Sequence, residues 1–182
     1  MGAAAGRSGR ARRLLGLATV AVWAITLWGW FRLPPEIPMH FGLSGRPDRW
    51  AERSIAAWCL LPAMATVFAV AFGWLLPGWF AGLARSNSKL LNMPDAERFR
   101  ALPEDARVRA VGGLGAGLAG IALAVDATIG WVMFATVRVA NGEWQLLPML
   151  PTLAFVLAIV GASVWMAVAG QRAVRREVDR VA

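Results

Sequence analysis

The stretch Ser54–Ala84, SIAAWCLLPAMATVFAVAFGWLLPGWFAGLA, runs for 31 residues without one charged side chain. A bilayer core about 30 Å thick is crossed by roughly 20 apolar residues in a helix, and a run of 18 or more with few charges marks such a span. A soluble helix keeps a polar face toward water; this stretch has none. Three further runs are similar: Leu14–Phe31 and Trp144–Gln171 are uncharged, and Ala110–Val137 carries a single carboxylate, Asp126. Together they predict an all-α integral membrane four-helix bundle, a single polytopic domain over residues 1–182.

Composition agrees. Of the 182 residues, 58% are hydrophobic and 16% charged, against about 25% charged in soluble domains. The net charge of +8 is concentrated on one side of the predicted bundle. Four arginines precede the first span, six cations lie in the loop 85–109, and four arginines follow the fourth span. Only Arg32, Arg46, Arg49, Arg53 and Arg138 fall on the other side. The positive-inside rule puts both termini and the central loop in the cytoplasm, with loop 32–53 extracytoplasmic. The basic segments read as topology signals and contacts with anionic lipid, not as a nucleic-acid footprint. The first apolar run ends in Gly29-Trp30-Phe31-Arg32 with no small-x-small cleavage site, so an uncleaved first helix is expected. Cys59 is the sole cysteine and has no partner for an internal disulfide.

Within the second span, Pro62 and Pro77 should bend the helix or mark its ends. In loop 85–109, Asn92 with Pro94, Asp95 and Glu97 forms one helix start, and Pro103-Glu104-Asp105 forms another. Phe99 and Leu102 either rest on the lipid surface or belong to a simple connector. Asn141-Gly142 supplies the turn between spans three and four. Past Gln171, Val174, Val178 and Val181 make an apolar stripe among arginines, which reads as a membrane-surface helix or as a face for a cytoplasmic protein partner.

Asp126 is the one ionisable side chain inside a span. A charged Asp at mid-bilayer costs about 2.5–3.5 kcal/mol, so such a residue faces the bundle interior or water. Gly115, Ala119, Ala122, Asp126 and Gly130 recur at helical spacing and form a stripe of small residues, with Gly113 and Gly117 as a GxxxG pair on a nearby face. Counting from the middle of each span places Asp126 level with Thr26 and Thr66. The carboxyl then serves as hydrogen-bonded glue between helices, as a proton or ion relay, or as an edge group wetted from outside.

Loop 32–53 contains Leu33-Pro34-Pro35-Glu36-Ile37-Pro38-Met39-His40-Phe41, then Gly42-Leu43-Ser44-Gly45-Arg46-Pro47-Asp48-Arg49-Trp50. Three prolines in five residues force an extended entry, and Ser44-Gly45 and Pro47-Asp48 supply turn chemistry. The loop should be ordered and should present His40, Phe41, Asp48 and Trp50 beside the membrane. It either seals the bundle or recognises a peptide or other ligand through Phe41, Trp50 and Trp58. His40 with Glu36 and Asp48 would be a minimal metal or proton site; no metal is assigned.

This segment resembles, without gaps, the signature LPxxIPxHFxxxGxPDxW of a bacterial membrane family known as domain of unknown function 1648. Leu33, Pro34, Ile37, Pro38, His40, Phe41, Gly45, Pro47, Asp48 and Trp50 fill its positions, and Arg53 stands where a lysine is usual. Asn92-Met93-Pro94 is similar to the family's Asn-x-Pro segment. The resemblance implies a multi-pass protein of the bacterial cell membrane. It extends to the N-terminal part of SdpI-type proteins, which protect bacteria from a secreted killing peptide and relay its presence to a repressor. Their Gly-Ile-Arg-Thr-Pro-Trp-type motif does not occur in this sequence.

No catalytic residues or cofactor are expected. The single histidine has no Ser or Cys arranged as a triad partner, and with no strands apparent there is no strand-borne phosphate loop. Two function classes follow. One is a non-enzymatic membrane protein of sensing or immunity type, with loop 33–50 as recognition or sealing element. The other is a small transporter or transporter subunit using Asp126. Four helices are few for a pathway, so the second requires a homo-oligomer.

Overall fold

The computed structural model describes residues 2–91 and 96–181. Its elements are α1 (Gly2–Trp30), β1 (Glu36–Phe41), β2 (Pro47–Glu52), α2 (Ile55–Val70), a π-helical turn (Ala71–Leu75) and α3 (Leu76–Arg85). They are followed by α4 (Ala96–Ala101), α5 (Glu104–Gly112), α6 (Leu114–Ala140) and α7 (Met149–Val181). Four helical segments are long and apolar enough to cross a membrane: Gly6–Trp30, Ile55–Arg85, Glu104–Ala140 and Met149–Arg180.

The central element is α6, which packs against α1, α2, β1, the π turn, α3, α5 and α7. The small-residue stripe explains its closest contact. Ala119, Ala122 and Asp126 are fully buried; a Cβ on Gly115 would touch Ser8, and one on Gly130 would touch Val22 and Ile25, all on α1. The nearby Gly117 serves α7, since a Cβ there would stand 2.5 Å from Met166 Cγ. Small residues thus let two neighbours approach one helix from different sides, the usual device where lipid removes the hydrophobic drive.

Pro62 lies inside α2 without ending it. Pro77 lies at the start of α3, directly after the π turn. A proline ring crowds the carbonyl one turn earlier and offers no N–H. The wider turn, in which Leu76 N–H reaches back to Ala71 O, relieves that crowding without breaking the span. Gly73 in this turn admits α1, as a Cβ would meet Leu15 Cδ2 at 2.9 Å.

Span four begins later than its uncharged run. Gly142, with φ +71°, takes the left-handed position after α6, Glu143 N–H bonds Arg138 O and Gly142 N–H bonds Val139 O, the pairing that closes helices with glycine. Residues 144–148 are then non-helical, and α7 starts at Met149. Trp144 leaves the helix to pack on Trp131 and Phe134, and Pro148 and Pro151 fit only a helix start.

Two expectations are corrected. Loop 32–53 is not strandless: β1 and β2 form an antiparallel hairpin, because the prolines hold the entry extended and Gly42 and Gly45 close the turn. Val174, read as part of a stripe facing lipid or a partner, and Phe99 and Leu102, read as facing lipid or as a connector, are buried by the chain itself, with Val178 partly buried beside them. They pack on each other with Ala84, Leu91, Ala106, Ala110 and Val111 in one cluster. At this basic end of the bundle α7 therefore closes over α4 and α5. The side chain of Val181 and the helix start at Asn92–Asp95, including Asn92-Met93-Pro94, lie outside the described residues.

Arg107 ties this lobe together. Its guanidinium is buried and donates to the carbonyls of Ala84 (2.8 Å), Leu102 (2.5 Å) and Arg85 (3.2 Å). Two of these are the last carbonyls of α3, which have no partner within the helix, and a cation there also answers the helix dipole. Glu177 of α7 accepts from Arg109 and Arg180, fixing α7 to α5.

Candidate functional site

The hairpin closes the opposite end. Leu33 and Ile37 are buried with Trp58, Met133 and Val137, so the entry strand is nailed to α2 and α6. Arg53 locks the base: its guanidinium donates to Leu33 O (2.7 Å) and Trp30 O (3.3 Å) and lies over the Trp30 ring. The cation thereby caps the end of α1, a role that the sequence did not disclose.

Further along, Pro38 faces Trp50, His40 faces Arg49 and Phe41 faces Pro47, with irregular register on either side of His40. His40 Nδ1 and Asp48 Oδ1 are 2.6 Å apart, on side chains 61% and 52% exposed. Glu36 sits at the far end of the hairpin opposite Glu52, so His40, Glu36 and Asp48 are not brought together. Among the described residues no three His, Cys, Asp or Glu side chains are grouped to hold a metal.

The tip is anchored, not free. Gly45 has φ +79°, its N–H bonds Gly42 O, and its carbonyl accepts from Leu147 N–H at 2.8 Å. A side chain at Gly45 meets both steric strain and the Leu147 backbone. Around this anchor Leu43 (98% exposed), Trp50 and Met39 project outward. Phe41 is half-buried above a groove of about 180 Å³ that Ile37, Trp58, Leu61 and Met133 also line. The signature residues thus divide in two. Leu33, Ile37 and Gly45 build the hairpin, while His40, Asp48 and Trp50 stand on its surface.

Asp126 is fully buried, but its partner is neither Thr26 nor Thr66. Thr19 Oγ1 donates to Asp126 Oδ2 at 2.6 Å. Thr26 bonds Val22 O, and Thr66 accepts from Trp23 Nε1 and donates to Pro62 O. The midpoints do not pair because the apolar run Ala110–Val137 is longer than Leu14–Phe31, while the two helices are matched at the hairpin end, where Gly29 lies against Val137. Thr19 is ten residues before Gly29 and Asp126 eleven before Val137; aligning those ends, not the midpoints, pairs them. Oδ1 of Asp126 has no partner among the described residues. The carboxyl borders a groove of about 310 Å³ between α1, α6 and α7, whose other walls are apolar: Ala18, Val22, Ile25, Trp131, Phe134 and Phe155 among them.

These features define a multi-pass membrane protein, with a β-hairpin sealing one end of a helical bundle and a basic lobe at the other. Residues 17–66, from α1 through the hairpin into α2, match the family model Domain of unknown function (DUF1648). No curated protein and no solved structure matches the chain significantly.

Proposed function

We propose that the chain is a non-enzymatic membrane protein of sensing or immunity type, with the hairpin as its receiving surface. The observation that carries this reading is the Gly45–Leu147 hydrogen bond. It ties the hairpin to the short segment that leads into α7, and the far end of that helix holds the basic lobe through Val174 and Glu177. A ligand on His40, Asp48 or Trp50 therefore has a rigid element leading across the membrane. The positive-inside rule puts the hairpin outside and the lobe in the cytoplasm, and the resemblance of residues 33–50 to SdpI-type proteins supports a peptide ligand. The test is survival of a sensitive bacterium challenged with secreted membrane-active peptides. The chain should raise survival, and His40→Ala/Asp48→Ala/Trp50→Ala should abolish the gain at equal membrane abundance. Full protection by that variant overturns the reading.

The unpartnered Oδ1 of Asp126 supports a second reading, a proton-coupled transporter subunit. The apolar walls around it favour helix glue instead. Proteoliposome flux that survives Asp126→Asn would exclude the transport reading.

A further inference from the structure

Where α1 and α7 flank α6, two cavities lie one above the other along the bundle. The cavity at the basic end, about 320 Å³, is walled by Arg7 and Ser8 of α1 and by Trp165, Arg172 and Arg176 of α7. The second is the groove beside Asp126, about 310 Å³. Between their levels, at Gly120 of α6, nothing stands within 4 Å of a Cβ position. Among the described residues no carboxylate lines the basic cavity, and none of its three arginines joins an ion pair. Glu177, the nearest acid in sequence, is held by Arg109 and Arg180. Three exposed arginines line this cavity, and from it an apolar furrow runs along α6 past Gly120.

We propose that this crevice binds one anionic phospholipid. The phosphodiester sits among Arg7, Arg172 and Arg176, and one acyl chain lies along the small residues of α6. Guanidinium forks match phosphate oxygens in geometry and charge. Arg172 is the first charge beyond the apolar run of α7, the level at which headgroups begin. Helices rise 1.5 Å per residue, so ten residues cover about 15 Å, one leaflet's hydrocarbon. From Gly113, which lines the basic cavity, that distance along α6 reaches Leu123, one turn short of Asp126. A bare anion leaves the furrow unused. A second copy of the chain brings its own arginines to the same level, where like charges repel.

The test is native mass spectrometry of the full chain in detergent, titrated with phosphatidylglycerol and phosphatidylcholine of identical acyl chains. Each arginine near a membrane surface strengthens anionic lipid binding about fivefold. The wild type should retain phosphatidylglycerol at least about tenfold better, and Arg172→Gln/Arg176→Gln should lose about thirtyfold. Arg13→Gln/Arg85→Gln removes equal charge away from the crevice and should retain the lipid as the wild type does. Gly120→Leu fills the furrow and should weaken the diacyl lipid while leaving the arginines in place. Equal retention of both lipids, or equal loss in the two arginine pairs, overturns the proposal. So does displacement by millimolar inorganic phosphate together with indifference to Gly120→Leu, which marks a bare anion site. A dimer that excludes lipid overturns it too.

Discussion

Gly45 and Leu147 meet main chain to main chain: Leu147 N–H donates to Gly45 O at 2.8 Å, and a Cβ on Gly45 would fall 2.3 Å from Leu147 O. The hairpin tip and the segment leading into α7 are thus joined. Gly45→Val must strain a positive φ and push that contact apart, a loss of about 1–3 kcal/mol. Thermal unfolding in detergent measures it. Gly42→Ala, whose Cβ meets the Asp48 carboxylate at 3.3 Å and Arg46 O at an ordinary 3.7 Å, should cost far less.

Thr19→Val removes the donor to Asp126 and should destabilise by about 0.6–2 kcal/mol, the range for hydrogen bonds between membrane helices. Asp126→Asn keeps an acceptor for Thr19 and should be nearly neutral. Reversible unfolding in mixed micelles ranks the two. A cost for Asn larger than for Val would show that the carboxyl does more than join α1 to α6.

Arg107→Met removes the guanidinium donor from three carbonyls, two of them at the end of α3, of which Ala84 O keeps the long contact from Asn87 N–H at 3.4 Å. Hydrogen bonds to charged groups contribute about 1.5–3 kcal/mol each, and a loss of at least about 3 kcal/mol is expected. Arg107→Lys should recover only part of it, because an ammonium cannot fork between Ala84 and Leu102. Hydrogen exchange in α3 and α5 should rise in the same order.

Leu43, at the hairpin tip, provides a topology probe. In a Cys59→Ser background, Leu43→Cys should react with a membrane-impermeant maleimide on intact cells, and Ser88→Cys only after permeabilisation. The reverse pattern inverts the orientation expected from the arginines.

Much of the architecture was legible because lipid imposes it. Uncharged runs give the spans, and the Gly115–Gly130 stripe gives the face that α1 covers. What escaped depended on relations between distant residues. The partner of Asp126 required knowing which ends of α1 and α6 are matched. The cluster of Val174 with Phe99 and Leu102 is not legible because each half, taken alone, fits lipid, a partner or a plain connector equally well. The hairpin was hidden because its strands carry prolines and polar residues, and what holds them is Ile37 and Leu33 on the bundle, not a sheet-like sequence. Arg107 was one cation among many in a basic loop; burial alone distinguishes it.

The central place of α6 also dictates the order of assembly. α1, the hairpin and α2 leave the ribosome before the helix on which all three are seated. Until α6 is inserted, Leu15, Val22 and Trp58 lack much of their final packing. The first half of the chain must therefore wait in the bilayer as an unfinished pair, held open for a third helix still being synthesised.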